Sequence, residues 1–169
     1  MADPQKRKKD TMSSSKPKQI GLISDTHGLL RDSAVSALAG SDLIIHAGDI
    51  DTPEIIDRLQ EIAPVIPVRG NMDRPTKRRT LPRHETVEID DISVYVLHDL
   101  DQLDLDPAAA GFDVVVYGHS HRPKITYREN VLYINPGSAG PRRFSLPVSV
   151  GLLEIENNHI IPRIIEIEA

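Results

Sequence analysis

Short apolar runs that stop at a glycine, a carboxylate or an imidazole recur along this chain, and this punctuation constrains its fold more than any other feature. Ile20 to Ile23 runs into Asp25, Leu43 to Ile45 into Gly48 and Asp49, and Val65 to Val68 into Gly70 and Asn71. Between these runs lie segments of helical period: about Asp32 to Ala39, and Pro53 to Ile62 with proline at its first turn. The opening therefore reads as βαβαβ.

Two alternating runs follow, Thr86 to Ile89 and Ser93 to Leu97, with Asp90-Asp91 as their turn. After an acidic segment comes Val114 to Tyr117, apolar on both faces and so read as a buried strand. The remainder has hairpin spacing, Lys124 to Arg128 with Val131 to Ile134 about Glu129-Asn130, and Val148 to Ile155 with Ile160 to Ile167 about Asn157-Asn158-His159. No internal repeat and no linker after residue 19 interrupts this order.

A chain of 169 residues suits one domain that folds without disulfide or structural metal. There is no cysteine, so any metal must be held by nitrogen and oxygen. Residues 1–18 hold six Lys or Arg against two Asp or Glu, leaving 14 against 23 for residues 19–169. We expect a disordered basic tail over 1–18 and one acidic domain over 19–169. An acidic body argues against a duplex-binding module, so nucleic acid is not the expected partner. No stretch approaches the roughly 18 apolar residues of a membrane span, and the charged start lacks the apolar core of a signal peptide, so a cytoplasmic protein is expected.

Asp25, His27, Asp49, Asn71, His98, His119 and His121 all fall at or just past the end of an apolar run. In α/β sheets the crevice outside the carboxyl ends of strands is where ligands bind, so these side chains are expected to converge there. Asp25-Thr26-His27 and His119-Ser120-His121 are spaced by two, which in extended chain turns both side chains to one face. Glycines before Asp49, Asn71 and His119 would let the chain turn sharply into the cleft.

In this order, Asp25-x-His27, Gly48-Asp49, Gly70-Asn71, His98 and Gly118-His119-x-His121 resemble the calcineurin-like metallophosphoesterase pattern. The short chain and Asn135-Pro136-Gly137-Ser138 further resemble the small YfcE-type phosphodiesterase subgroup. The resemblance implies an α/β (α+β) fold, a four-layer αββα sandwich of two mixed sheets with helices outside, and not the open sheet that βαβαβ alone suggests. It implies two divalent ions, one on Asp25, His27, Asp49 and His121, the other on Asp49, Asn71, His98 and His119. Asp49 would bridge them beside a bridging hydroxide, which screens their repulsion. Sulfur-free ligands suit Mn, which we favour, with Fe, Zn, Ni or Mg as alternatives.

This chain departs from the pattern at two places. Met72 stands where the superfamily commonly has a histidine acting as general acid, and methionine cannot donate a proton. Asp99 follows His98 where glycine is usual. Other polar residues have bland readings beside the functional ones. His46 reads as packed or supporting, and His84 and His159 as exposed and outside the site. Asp51 is an extra acidic group or a helix cap. Asp73 would support the site by orienting His119 or receiving a proton, or would pair with Arg74. Arg74, Lys77, Arg78 and Arg79 either meet substrate phosphate, with Arg74 and Asn71 as the contacts, or form a solvated loop. Asn135 to Ser138 is first a turn.

The expected function is hydrolysis of a small phosphodiester or activated phosphomonoester, with a small phosphate ester as partner and homo-oligomerisation left open. A non-catalytic protein-interaction scaffold on the same fold is the alternative, and a nuclease is disfavoured by the acidic body.

Overall fold

The computed structural model describes residues 16–76 and 79–169. Residues 1–15 of the expected tail, and Lys77 and Arg78 of the basic run, lie outside the described residues. The elements are β1 (Lys18–Ile23), α1 (Asp32–Leu38), β2 (Leu43–His46), α2 (Pro53–Gln60), β3 (Val65–Pro67), β4 (His84–Ile89), β5 (Ile92–Leu97), β6 (Val114–Val116), β7 (Lys124–Arg128), β8 (Val131–Asn135), β9 (Ser149–Glu156) and β10 (His159–Glu166). A 3₁₀ turn spans Leu100–Gln102. The βαβαβ opening and the three later hairpins thus fall where the sequence puts them.

Two mixed five-stranded sheets result, ordered β10-β9-β1-β2-β3 and β4-β5-β6-β8-β7. Each has three parallel strands, β1-β2-β3 in one and β5-β6-β8 in the other, with antiparallel strands outside them. Turn chemistry sets the hairpin registers. Glu129-Asn130 and Asn157-Asn158 have φ of 49°, 63°, 50° and 64°, the left-handed pairs that two-residue hairpin turns need and that asparagine tolerates. Pro162 is confined to the edge strand β10, where a missing N–H breaks no ladder on the solvent side.

Period-two alternation divides the core. Ile20, Leu22, Ile45 and Leu153 of the first sheet pack against Val94, Val96, Val114, Val116 and Ile134 of the second. Each such fully buried aliphatic side chain contributes roughly 1.5–3 kcal/mol. The outer face of the first sheet, with Ile23, Ile44 and Val150, is covered by Ala34 and Leu38 of α1 and Ile55, Ile56 and Leu59 of α2. The second sheet differs from the expectation of helices outside both sheets. Its Tyr95, Leu97, Val115, Tyr117 and Tyr133 lie under Leu100, Leu103, Leu105, Ala108 and Phe112, which come from the 3₁₀ turn and the turns after it. The acidic segment is therefore a cover: Leu100, Leu103 and Leu105 are interspersed with aspartates over 99–106, and Gly111, at φ +84°, ends the turn that follows Pro107. Among the described residues no helix is long and apolar enough to cross a membrane.

Candidate metal centre

The parallel strands of each sheet point one way, so β1, β2, β3, β5, β6 and β8 deliver their following loops to one end of the sandwich. Backbone hydrogen bonds sew those loops together. Asp25 N donates to Gly48 O at 2.9 Å, His27 N to Asp49 O at 3.0 Å, Gly118 N to His98 O at 2.9 Å, and Ala139 N to Ser24 O at 3.0 Å.

The expected extended geometry of Asp25-x-His27 and His119-x-His121 is not what forms. Asp25, His27, Asp49, His119 and His121 have φ of 54°, 45°, 56°, 72° and 60°. A left-handed residue costs about 1–3 kcal/mol, less for Asp and His than for most other non-glycine types, and survives where surrounding contacts over-determine it. Here the sewn loops do so. Of the three glycines expected to turn the chain, only Gly48 does, with φ +101°. Gly70 and Gly118 are needed for closeness instead: a Cβ on Gly70 would overlap Asp49, and one on Gly118 would overlap Ser24 Oγ.

Side chains from separate strands meet as a result. Asp25, His27 and His121 bring one oxygen or nitrogen each within 4.8 Å of one another, and so do Asp25, Asp49 and His98. Asp49 Oδ2 lies 3.7 Å from His27 Nε2 and 3.3 Å from His98 Nε2, so its carboxylate reaches both groups. Asp25 Oδ1 also reaches both, at 3.3 Å from His121 Nε2 and 3.9 Å from His98 Nε2. His27 Nε2 and His121 Nε2 face each other at 3.3 Å. Asn71 and His119 stand exposed at the rim, the His119 ring edge-on to His98 with centroids 5.2 Å apart.

Several of these groups are held in one orientation. His98 Nδ1 donates to Ala47 O at 2.7 Å, which leaves Nε2 as the ring's lone-pair atom. Asp49 Oδ1 accepts from Met72 N at 2.8 Å, freeing Oδ2. Asp25 Oδ2 accepts from Ser24 Oγ at 2.6 Å and His119 N at 3.1 Å, freeing Oδ1. The buried atoms Asp25 Oδ1, His98 Nε2 and His121 Nδ1 have no hydrogen-bond partner among the described residues. Unsatisfied buried polar atoms cost about 1–3 kcal/mol each, and several on one cluster of carboxylates and imidazoles fit a cation binding there. Burial would raise the pKa of both carboxylates. It is outweighed at Asp25 by His121, Ser24 and His98, and at Asp49 by His98 and the Met72 amide, so both are lowered. Burial would lower His98, but Asp49 and Asp25 outweigh it and raise it.

His46 is fully buried, its Nδ1 accepting from Gly48 N at 3.2 Å and its Nε2 meeting Thr26 Oγ1 at 3.0 Å. Burial pushes its pKa down to about 4. Asp51 does not cap α2: Thr52 holds the cap position, and Asp51 Oδ2 faces His27 Nδ1 at 3.6 Å. Asp73 neither pairs with Arg74 nor reaches His119 among the described residues. Its carboxylate accepts from the amides of Ile50, Asp51 and Gly70 at 2.8–2.9 Å, tying the Asp49 loop to the Asn71 loop. Met72 is 55% exposed, its side chain on the rim.

Two expectations change at the surface. Arg74 lines a small cavity beside Thr52 and Ile56, whereas the cleft containing Asn71, His98 and Asp99 is bordered by Arg83, and Arg69 and Asp73 line both. His84, read as exposed and outside the site, is exposed but borders this cleft. His159 is exposed, as expected, but it opens β10 and pairs with Glu156 instead of belonging to the turn. Sequence reasoning also missed the bracing. Asn135 Nδ2 donates to Gly118 O at 2.9 Å, and Ser138 Oγ donates to Asp25 O at 3.0 Å. The Asn135-Pro136-Gly137-Ser138 turn signal marked the place but not these partners.

The sequence profile of the calcineurin-like phosphoesterase superfamily domain matches residues 19–158. A probable metallophosphoesterase of Methanothermobacter thermautotrophicus is 36% identical over 86% of this chain and 91% of its own length. Phosphodiesterase YfcE of Escherichia coli is 30% identical over 80% of this chain and 87% of its own. Among solved structures, Vacuolar Protein Sorting 29 from Cryptosporidium parvum superposes with a TM-score of 0.71 at 19% identity, covering 89% of this chain and 97% of that one, a likeness of fold. On a profile that spans most of the chain and relatives of this identity, the chain belongs to the calcineurin-like phosphoesterase superfamily.

Proposed function

We propose that this protein hydrolyses small phosphodiesters, and activated phosphomonoesters, with two divalent cations. The observation that carries the reading is the buried cluster in which Asp49 Oδ2 lies within 3.7 Å of His27 and 3.3 Å of His98 while Asp25 Oδ1, His98 Nε2 and His121 Nδ1 have no hydrogen-bond partner. Asp25, His27, Asp49 and His121 would hold one ion, and Asp49, Asn71, His98 and His119 the other. Nitrogen and oxygen donors suit Mn first, then Fe, Zn, Ni or Mg. Bound there, two such ions would lower the pKa of water so that a hydroxide nucleophile is available near neutral pH, and would offset charge building on phosphorus.

The chain's own part is to aim these groups. Ala47 O fixes the His98 tautomer, and the amides of Ile50, Asp51 and Gly70 hold Asp73 so that the Asp49 and Asn71 loops keep their spacing. Met72 offers no proton to a leaving oxygen, so aryl esters, which leave as stable phenolates, are the favoured substrates. The Escherichia coli relative is named a phosphodiesterase, which supports a diester as the substrate class. The likeness to Vacuolar Protein Sorting 29 keeps a scaffold role as the alternative, and the clustered donors favour the enzyme.

The test is hydrolysis of bis-p-nitrophenyl phosphate and p-nitrophenyl phosphate by chelated protein, before and after Mn, Mg, Zn or Ni is restored, with bound ions counted by elemental analysis. Turnover of the diester that appears only with metal is expected. Turnover indifferent to chelation, or no ion retained, would overturn the reading.

A further inference from the structure

A cleft of about 730 Å³ opens beside Asn71 and His98, more than a bare phosphate group needs and within the range of pockets that hold a small organic ligand. Its wall is chemically divided. Arg69 N donates to Pro82 O at 2.7 Å, which brings the Arg69 backbone beside that of Arg83; both residues line the cleft, and Arg69 also borders the cavity lined by Arg74. Among the described residues neither guanidinium has a carboxylate within 4.0 Å, so both charges are available to a ligand.

His84, the next residue, pairs across the β4–β5 ladder with Leu97, which precedes His98. Its ring lies on Tyr95, centroids 5.5 Å apart and planes 20° apart. Tyr95 is buried and braced edge-on by Phe112 at 5.1 Å, whereas His84 is exposed. The stack thus ends in an exposed imidazole among the residues that line the cleft, a ring on which another planar ring can stack. Asp99, Gln102 and Asp104, from the segment after β5, add hydrogen-bond acceptors.

We infer that this cleft is a nucleoside subsite and that the substrate is a phosphodiester of a nucleoside. The base stacks on His84, Arg69 and Arg83 meet the phosphate, and hydroxyl or amino groups donate to Asp99, Gln102 and Asp104. The two carboxylates Asp99 and Asp104 would repel the extra charges of a polyphosphate, and a ring platform has no use for a simple alkyl diester. The inference rests on the phosphodiesterase reading above, and its test separates the two.

The Mn-loaded protein would be given the p-nitrophenyl ester of thymidine 5′-monophosphate and, separately, methyl p-nitrophenyl phosphate. In each, water adds to phosphorus, the bond from phosphorus to the nitrophenyl oxygen breaks with its electron pair, and the proton lost by water passes to solvent. The products are nitrophenolate with thymidine monophosphate or with methyl phosphate. Base stacking predicts a kcat/KM for the nucleotide ester about tenfold or more above that for the methyl ester. That ratio falls towards one in His84→Ala, is kept by His84→Phe, which preserves a ring face, and is kept by the remote surface variant His159→Ala, whereas Arg83→Ala, which removes a phosphate contact common to both esters, lowers kcat/KM for both and keeps the ratio. Binding of adenosine 5′-monophosphate to chelated protein, by calorimetry and saturation-transfer NMR, reads the subsite without turnover, and His84→Ala should weaken it by about tenfold. Binding that depends on His84 without turnover of either ester would sink the phosphodiesterase reading and leave the subsite standing. Turnover of both esters at a ratio near one, or no binding of adenosine monophosphate at millimolar concentration, overturns the subsite.

Discussion

His46 gives the folded protein a dependence on pH whose sign and size follow from its surroundings. It is fully buried, and burial holds its pKa at about 4 against 6.5 in the unfolded chain. Between those values the unfolded chain binds a proton that the folded one refuses, so stability is complete above about pH 6.5 and falls as pH drops towards 4. From these two pKa values the loss is about 2 kcal/mol at about pH 5 and about 3 kcal/mol at about pH 4. Neighbouring groups act in other windows. His98 is raised, so its contribution is present below pH 6.5 and lost above it as pH climbs through its folded pKa. Asp25 and Asp49 are lowered, so their contributions are lost only below the ordinary carboxylate value of 3.8. The perturbation is His46→Asn, whose Oδ1 can still accept from Gly48 N as His46 Nδ1 does at 3.2 Å. Urea unfolding followed by circular dichroism, in chelator and at steps from about pH 8 to 4.5, measures the slope. The unmodified protein should lose about 2 kcal/mol more than the variant by about pH 5. Parallel curves for the two proteins, or a His46 imidazole that titrates near 6.5 by NMR, would refute the reasoning.

The remaining predictions concern the site. Asp49→Ala should abolish metal-dependent turnover and loosen both ions, since its free oxygen lies within 3.7 Å of His27 and 3.3 Å of His98; two ions per chain retained after dialysis would defeat the bridging role. Gly70→Ala drives a Cβ into the Asp49 amide and carboxylate, and overpacking of this kind costs about 1–3 kcal/mol, so melting temperature and metal affinity should fall together. An unchanged metal titration would show that the Asp49 loop yields more easily than its hydrogen bonds imply. Met72→His should flatten the dependence of rate on leaving-group pKa across substituted phenyl diesters, because general acid help is worth typically 10²–10⁴-fold for poor leaving groups. A slope already shallow with Met72 in place would mean that another group supplies the proton.

Much of the fold could be read from local chemistry. Strand limits follow β-branched runs and their punctuation, and Glu129-Asn130 and Asn157-Asn158 announce two-residue turns because asparagine tolerates positive φ. The same punctuation pointed to the end of the sandwich where Asp25, Asp49 and His98 meet, since polar residues past parallel strands must lie beyond one sheet edge. The family pattern then supplied the second sheet that periodicity alone did not require.

What lay out of reach depends on contacts between residues distant in sequence. The left-handed backbone of Asp25 and His27 is imposed by Gly48 O and Asp49 O, more than twenty positions on, where local preference alone favoured extended chain. Asp73 looked like an acid or an ion-pair partner, but three amides from two loops claim its carboxylate. Arg74 follows Asn71 closely yet faces a different cavity, whereas Arg83 and His84 reach the cleft because β4 pairs with β5 and Arg69 N bonds Pro82 O. Periodicity and turn preference are properties of a few neighbouring residues and survive in the sequence. Which side chains share a cleft is decided by long-range backbone hydrogen bonds and by the packing of two sheets, and only the folded chain brings those together.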